Sequence, residues 1–243
     1  MSKFLKTALK NLFASLGAKD AENNFAVPLL DATSGEPKGY MSLTNLDGVA
    51  NNNVFIVTVE DTYVRCRKVN GFSASLVANA VGVMVMEGDN HIIISKDYAP
   101  STMHWSTSNV SGGTANLSRA DAFKDHDGKA KTATVVNTLG ADGLMAKYCQ
   151  DYYPSNLEES HDRFGKGKWF APAAGDLWIM YKYLDEINHA LSIINGELLV
   201  KEAHWSITEY STSYAWGLNF SGGFFSNYYK STYSFRVRPV SAL

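Results

Sequence analysis

Only two cysteines, Cys66 and Cys149, occur in 243 residues. They cannot build a disulfide framework, and neither stands in a CxxC or other metal-ligand spacing. Charge is scarce as well: 22 Lys and Arg stand against 24 Asp and Glu, a net charge of −2. The basic footprint of a phosphate-backbone binder is therefore missing, and nucleic acid is not an expected partner. No apolar run approaches the length of a membrane span. Lys3, Lys6, Lys10 and Lys19 interrupt the N-terminal apolar residues so closely that no signal-peptide core survives. A soluble chain made in the cytoplasm without Sec export is the expectation, with lysis or assembly into a particle as its route outside.

Chemistry-bearing motifs are equally sparse. The six histidines, His91, His104, His126, His161, His189 and His204, form no HExxH or paired-ligand spacing and read as structural. Asp121, Asp125 and Asp127 depart from the spacing of a calcium loop and read as a solvated acidic turn. There is no GxSxG elbow, and the glycine pairs at Ser111–Thr114 and Ser221–Phe224 lack a phosphate-loop lysine. No metal, cofactor or catalytic residue is expected.

What the chain does contain is enough apolar residue, 45%, for a sizeable core. Leu5, Leu9, Leu12 and Leu16 form an amphipathic stripe that Gly17 ends, so residues 1–20 read as an N-terminal helix. It is open between a helix docked on a domain, an oligomerisation or attachment helix, and a membrane-surface helix. Residues 21–75 read as a connector rich in Pro, Gly, Ser, Asn and Asp, carrying a short hairpin from Val54–Val59 and Tyr63–Val69. A stronger hairpin pairs Val81–Met86 with His91–Ser95. Helical pattern covers Lys131–Tyr148 and Asp176–Ile194, the latter with Leu177, Tyr181, Leu184, Ile187, Leu191 and Ile194 on one face. Strands, two helices and strands again predict an α+β domain over 76–243, its sheet completed by the C-terminal residues.

The tail is the unusual part. Residues 210–235 hold five Tyr and six Ser, and Lys230 is their one charge. Tyr gives large amphipathic contacts at small entropic cost, and Ser, Gly and Asn give adaptable hydrogen bonds, the composition of a binding surface. Trp205, Trp216 and Phe220 read as core, whereas Tyr210, Tyr214, Tyr228, Tyr229 and Tyr233 read as surface, because a core rarely needs so many hydroxyls.

Four ordered motifs carry a resemblance: Gly167-Lys-Trp169-Phe-Ala-Pro172-Ala-Ala-Gly-Asp-Leu177-Trp178, His204-Trp205-Ser-Ile-Thr-Glu209-Tyr210, Ala215-Trp216-Gly-Leu-Asn-Phe220 and Arg236-Val-Arg238-Pro239-Val240. Residues 76–243 resemble C-type-lectin-fold domains of bacterial and phage surface proteins. More narrowly, they resemble the variable proteins of diversity-generating retroelements, including receptor-binding proteins at phage tail tips. Residues 30–43 also look like the opening of gut-phage fibre proteins.

This resemblance implies a C-type-lectin-like fold with a mixed or antiparallel sheet and two helices, preceded by the N-terminal helix and a small β region. It implies a virion protein at a tail-fibre tip that binds a bacterial surface glycan or protein, contacts other fibre proteins through its N-terminal region, and forms a homo-oligomer, a trimer first. In that family, template errors at adenine yield Asn, Tyr, Ser, Phe, Thr, Leu, Ile or Gly. The diversified, ligand-binding positions implied are Ile207, Tyr210, Ser211, Ser213, Tyr214, Gly217, Leu218, Phe224, Phe225, Ser226, Asn227, Tyr228, Tyr229, Tyr233 and Ser234. Trp205, Glu209, Trp216 and Lys230 are unreachable by such errors and fall to the frame, with Trp169, Phe220, Arg236 and Arg238. The tripeptides that hold calcium in lectins of this fold are absent. A bacterial adhesin or pilus-tip subunit is the alternative, and an oxidase of the formylglycine-generating type, which needs a reactive cysteine pair, is third.

Overall fold

A computed structural model describes residues 26–30, 37–42, 53–65 and 72–242, and the chain divides into two units at residues 52 and 53. The helix expected over residues 3–17 lies outside the described residues. In the first unit, β1 (Ala26–Leu30) pairs antiparallel with β2 (Pro37–Ser42).

In the second unit, β3 (Val54–Thr58), β4 (Tyr63–Arg65), β5 (Ala80–Glu87), β6 (Asn90–Ser95) and β10 (Val240–Ala242) form an antiparallel sheet in the order β10-β6-β5-β3-β4. Both expected hairpins are present, and β3 pairs directly with β5. Apolar runs such as Val81–Met86 lack polar alternation because both faces are covered. Val54, Ile56, Val83, Val85, Ile92 and Ile94 pack into one cluster with Leu184, Ile187 and Leu191. Met84 and Ile93 meet Tyr152, Phe164 and Trp169 in another.

Six α-helices are described where two were expected: α1 (Ala74–Asn79), α2 (Arg119–Ala122), α3 (Gly128–Leu139), α4 (Leu144–Asp151), α5 (Ala174–Lys182) and α6 (Leu184–Ile193). The expected helix over Lys131–Tyr148 is split by a 3-10 turn at Gly140–Asp142, where Gly140 takes φ +56° and stops α3. The helix expected over Asp176–Ile194 breaks at Tyr183, whose hydroxyl accepts from Asn53 Nδ2 at 3.2 Å. Its apolar stripe survives the break, since Leu177, Leu184, Ile187, Leu191 and Ile194 are all buried.

A second antiparallel sheet, in the order β7-β8-β9, is formed by β7 (Ala203–Glu209), β8 (Tyr214–Asn219) and β9 (Phe224–Tyr229). One face contributes Trp216, Leu218 and Phe225 to the cluster under α5 and α6. The other contributes Trp205, Ile207 and Ala215 to a cluster with Trp105, Val135, Met145 and Val237. The last residues tie the sheets together: Phe235 bridges to Met103, Arg236 to His204, and Val240 to Phe170. Buried Arg238 donates to the carbonyls of Ser95, Lys96 and Glu197, each at 2.9 Å, and lies over the Tyr98 ring.

Candidate functional site

β7 and β8 are buried on both faces at their middle, β9 is the half-buried edge strand, and the tail's exposed aromatic residues lie toward the sheet's ends. Tyr214 and Tyr229 are cross-strand partners on β8 and β9. Their rings stand 4.0 Å apart, and Tyr210 meets Tyr214 edge-on at 6.3 Å. Beneath them, Tyr210 leans edge-on against the Trp216 indole at 5.2 Å, and Trp216 donates its Nε1 hydrogen to the Leu117 carbonyl at 3.0 Å. The hydrogen bond with Tyr229 pushes the Tyr214 phenol up to about 12. The opposite face of β9 carries Tyr228, edge-on to Tyr233 at 5.2 Å and to Phe235 at 4.8 Å, with Trp205 underneath. Tyr210, Tyr229 and Tyr233 are 44%, 41% and 44% exposed, so this end of the sheet presents half-open rings from both faces, Tyr210 and Tyr229 from one and Tyr233 from the other.

The frame below is fixed by a buried ion pair. Lys230 and Glu209 have no side-chain exposure and touch directly. Glu209 also accepts from the backbone of Gly112 at 2.8 Å and of Thr114 at 2.9 Å, and from the Thr114 hydroxyl at 2.5 Å. The Lys230 ammonium donates to the carbonyls of Val110 at 2.9 Å and Thr212 at 2.8 Å and lies 4.4 Å from the Trp105 ring centroid. Burial pushes this ammonium below its ordinary range against the pull of Glu209. The polar capacity of both buried groups is thus used, the condition under which such a pair is tolerated. A Cβ on Gly112 would stand 2.7 Å from the Trp105 ring, so the loop can approach Glu209 this closely only with glycine there.

Sequence reasoning missed this first loop. Residues 106–117 carry no charge, and Thr107, Ser108, Asn109, Val110 and Ser111 are exposed beside the tyrosines. The Asn109 carboxamide oxygen accepts from both the backbone and the hydroxyl of Ser231 at 3.0 Å. The available signal was compositional: Ser106–Leu117 has the same uncharged Ser, Thr, Asn and Gly bias as the tail.

The expected positions divide three ways. Tyr210, Tyr214, Tyr228, Tyr229 and Tyr233 gather at the open end, with Ser211, Ser213 and Ser234 on the adjoining loops. Phe224 is 64% exposed but begins β9, at the far end of the strand from Tyr229. Ser226 and Asn227 are half-buried between them. Ile207, Leu218 and Phe225, expected on the surface, are instead core: Phe225 stacks on Trp216 at 4.7 Å, and Ile207 and Leu218 have no exposure. Gly217 is also buried, with the His204 carbonyl 3.0 Å from where a Cβ would stand. Of the frame, Trp169, Trp205, Glu209, Trp216, Phe220 and Arg238 are buried, while Arg236 is half-exposed and paired with Glu202 at 2.8 Å.

Asp125 also departs from expectation. It is buried, pairs with Lys131, and accepts from the Thr208 hydroxyl, so it anchors β7 rather than forming a solvated turn. Cys149 lies buried in α4, where burial pushes its thiol far above the ordinary range. Among the described residues, no three His, Cys, Asp or Glu side chains gather where they could hold a metal ion.

No protein-family model matches the chain, and no curated protein matches it. Among solved structures, it is similar to a fimbrial protein from Bacteroides ovatus, with a TM-score of 0.54 and 13% sequence identity over 79% of this chain. The chain covers 49% of that protein and so spans about half its length. At this identity the likeness is one of fold.

Proposed function

We propose that the chain is a non-enzymatic, adhesin-type receptor-binding protein that grips a bacterial surface glycan or protein through the tyrosine cluster at the end of β8 and β9. The observation that carries this reading is the half-open set Tyr210, Tyr214 and Tyr229 over buried Trp216, with Tyr233 at the same end of the sheet over Tyr228 and Phe235, on a frame fixed by the Glu209–Lys230 pair. Rings held by packing lose little entropy on binding, which suits them as anchors. Likeness in fold to a fimbrial protein supports a surface or pilus-tip subunit as the first setting.

A receptor-binding protein at a phage tail-fibre tip, with a C-type-lectin-like, diversified domain, is the second setting. One observation favours it: the half-open rings and adjoining serines are all of types that adenine-directed errors reach, whereas Trp205, Glu209, Trp216 and Lys230 are buried. Ile207, Gly217, Leu218 and Phe225, all buried, would then belong with the frame rather than with the binding face. In this setting the N-terminal region joins other fibre proteins and the tip is a homo-oligomer, a trimer first. The surrounding DNA separates the settings, since diversification requires a nearby reverse-transcriptase gene and a near-copy of the tail codons differing at adenines.

The direct test incubates the labelled full chain with a panel of bacterial envelopes. Saturable binding is expected to at least one, and to fall about tenfold or more in Tyr210→Ala/Tyr229→Ala, the loss typical of anchor residues. Equal binding by the variant, or no binding to any envelope, contradicts the reading.

A further inference from the structure

We infer that loop 106–117 is a second wall of the recognition surface, and that the composite surface takes an uncharged, polyhydroxylated ligand such as a neutral polysaccharide. This rests on the receptor-binding reading above. From the end of β7, Glu209 holds Gly112 and Thr114 of the loop, and from the turn after β9 Lys230 holds Val110 of the same loop and Thr212 of the β7–β8 loop. One buried pair therefore fixes the 106–117 loop, the β7–β8 loop and the turn after β9 in mutual register. Asn109 adds an outer link to Ser231.

The charge pattern of these segments selects the ligand. Across 106–117 and 210–235 the single charge is Lys230, fully buried and spent on Glu209 and two carbonyls. The two segments thus offer no exposed side-chain cation and no carboxylate of their own; at their margin the Asp142 carboxylate accepts from the Thr107 hydroxyl at 3.0 Å and His104 Nδ1 bonds the Tyr233 carbonyl at 3.0 Å. Charge-assisted hydrogen bonds, the strong ones that acidic or basic ligands need to offset desolvation, are unavailable from these segments.

What they do offer is half-exposed aromatic rings, Tyr210, Tyr229 and Tyr233, together with hydroxyls and an amide at Ser108, Asn109 and Ser213. A pyranose has the matching character, an apolar C–H face for the negative face of an aromatic ring and a rim of hydroxyls that both donate and accept. Val110 is the one exposed large aliphatic side chain in the two segments.

The test measures binding of the full chain to immobilised mannan and galactan, to heparin and polysialic acid, and to an envelope that binds wild type, before and after periodate or protease treatment. Binding is expected to a neutral polymer or to a periodate-sensitive envelope ligand. It should change less than about twofold between about 0.05 and 0.5 M salt, because a neutral ligand gives the flanking charges nothing to attract. Ser108→Ala/Val110→Ala, both exposed, should weaken it about fivefold or more with the thermal unfolding midpoint retained. Preference for heparin or polysialic acid, steep salt dependence, or wild-type binding by the double variant overturns the inference. Envelope binding that resists periodate, is destroyed by protease and still needs Tyr210 and Tyr229 overturns the ligand class while leaving the receptor-binding reading intact. Absence of binding to every envelope overturns both.

Discussion

Glu209, at the end of β7, and Lys230, just beyond β9, meet with neither side chain exposed, and between them they hold backbone groups of Val110, Gly112, Thr114 and Thr212. Two opposite charges sit in the interior beneath two segments, 106–117 and 210–235, that carry no other charge. The pair places the tyrosine-bearing loops, and its removal should disorder them before it harms the distant five-stranded sheet.

Lys230→Ala leaves the Glu209 carboxylate buried beside Trp105 without its cation. Breaking a buried pair on one side costs about 3–5 kcal/mol. Urea unfolding should register that loss. Native-state hydrogen exchange should also show faster exchange at Gly112 and Thr114 than in wild type, with β5 and β6 unchanged. A loss near zero would mean that the loops are held by other contacts.

Two classes of tail residue should separate by stability. Phe225→Ala, which empties the stack on Trp216, should cost about 3–5 kcal/mol, and Leu218→Ala about 2–5 kcal/mol. Tyr210→Ala and Tyr229→Ala lose at most edge contacts and one ring pair, no more than about 1.5 kcal/mol each. Chemical denaturation of the four variants checks the ordering, and an inverted order would put the rings rather than Phe225 in the core.

His204 should make the protein acid-labile. Its Nδ1 hydrogen goes to the Glu202 carbonyl at 2.9 Å, so Nε2 accepts from the Tyr98 hydroxyl at 2.6 Å and the ring is neutral. Burial lowers its pKa to about 3. The unfolded chain takes up that proton near pH 6.5 and the folded one only near pH 3, so stability falls as pH drops through this window, by about 1.4 kcal/mol per unit. His204→Gln should flatten that part of the stability profile, measured as the unfolding midpoint from pH 7 to 4.

His126 should act in the opposite direction. Its Nδ1 hydrogen bonds Asp176 at 2.8 Å, which raises the imidazole pKa above its ordinary value of 6.5. A raised histidine contributes fully below the unfolded pKa and loses its contribution as pH rises through the folded one. Wild type should therefore lose stability above about pH 6.5, and His126→Gln should lack that alkaline decline. Identical profiles would show that the bond persists with neutral imidazole.

Much of this architecture was legible locally. The hairpins of β3–β4 and β5–β6 followed from β-branched runs around polar turns, and the apolar stripe of α5 and α6 from its spacing. The breaks were less visible. Gly140 carries a stop signal, but Tyr183 is an ordinary helix residue, and a contact from distant Asn53 meets it at the break. In the tail, composition separated Trp205 and Trp216 from the tyrosines. It could not separate Phe225 from Phe224, adjacent residues of one strand that alternate between the core and solvent. Nor could it show that loop 106–117 lies beside the tail, because that juxtaposition depends on Glu209 and Lys230 meeting across 21 residues of sequence.

Hydroxyl-radical footprinting of the full chain, free and bound to an envelope, tests the recognition surface most directly. Protection is expected at Tyr210, Tyr229 and Tyr233 and at Val110, with Tyr153 and Trp178, exposed elsewhere, reacting equally in both states. Unchanged reactivity of the three tyrosines in the bound state, or protection confined to Tyr153 and Trp178, would contradict the assignment of this ring cluster as the binding face.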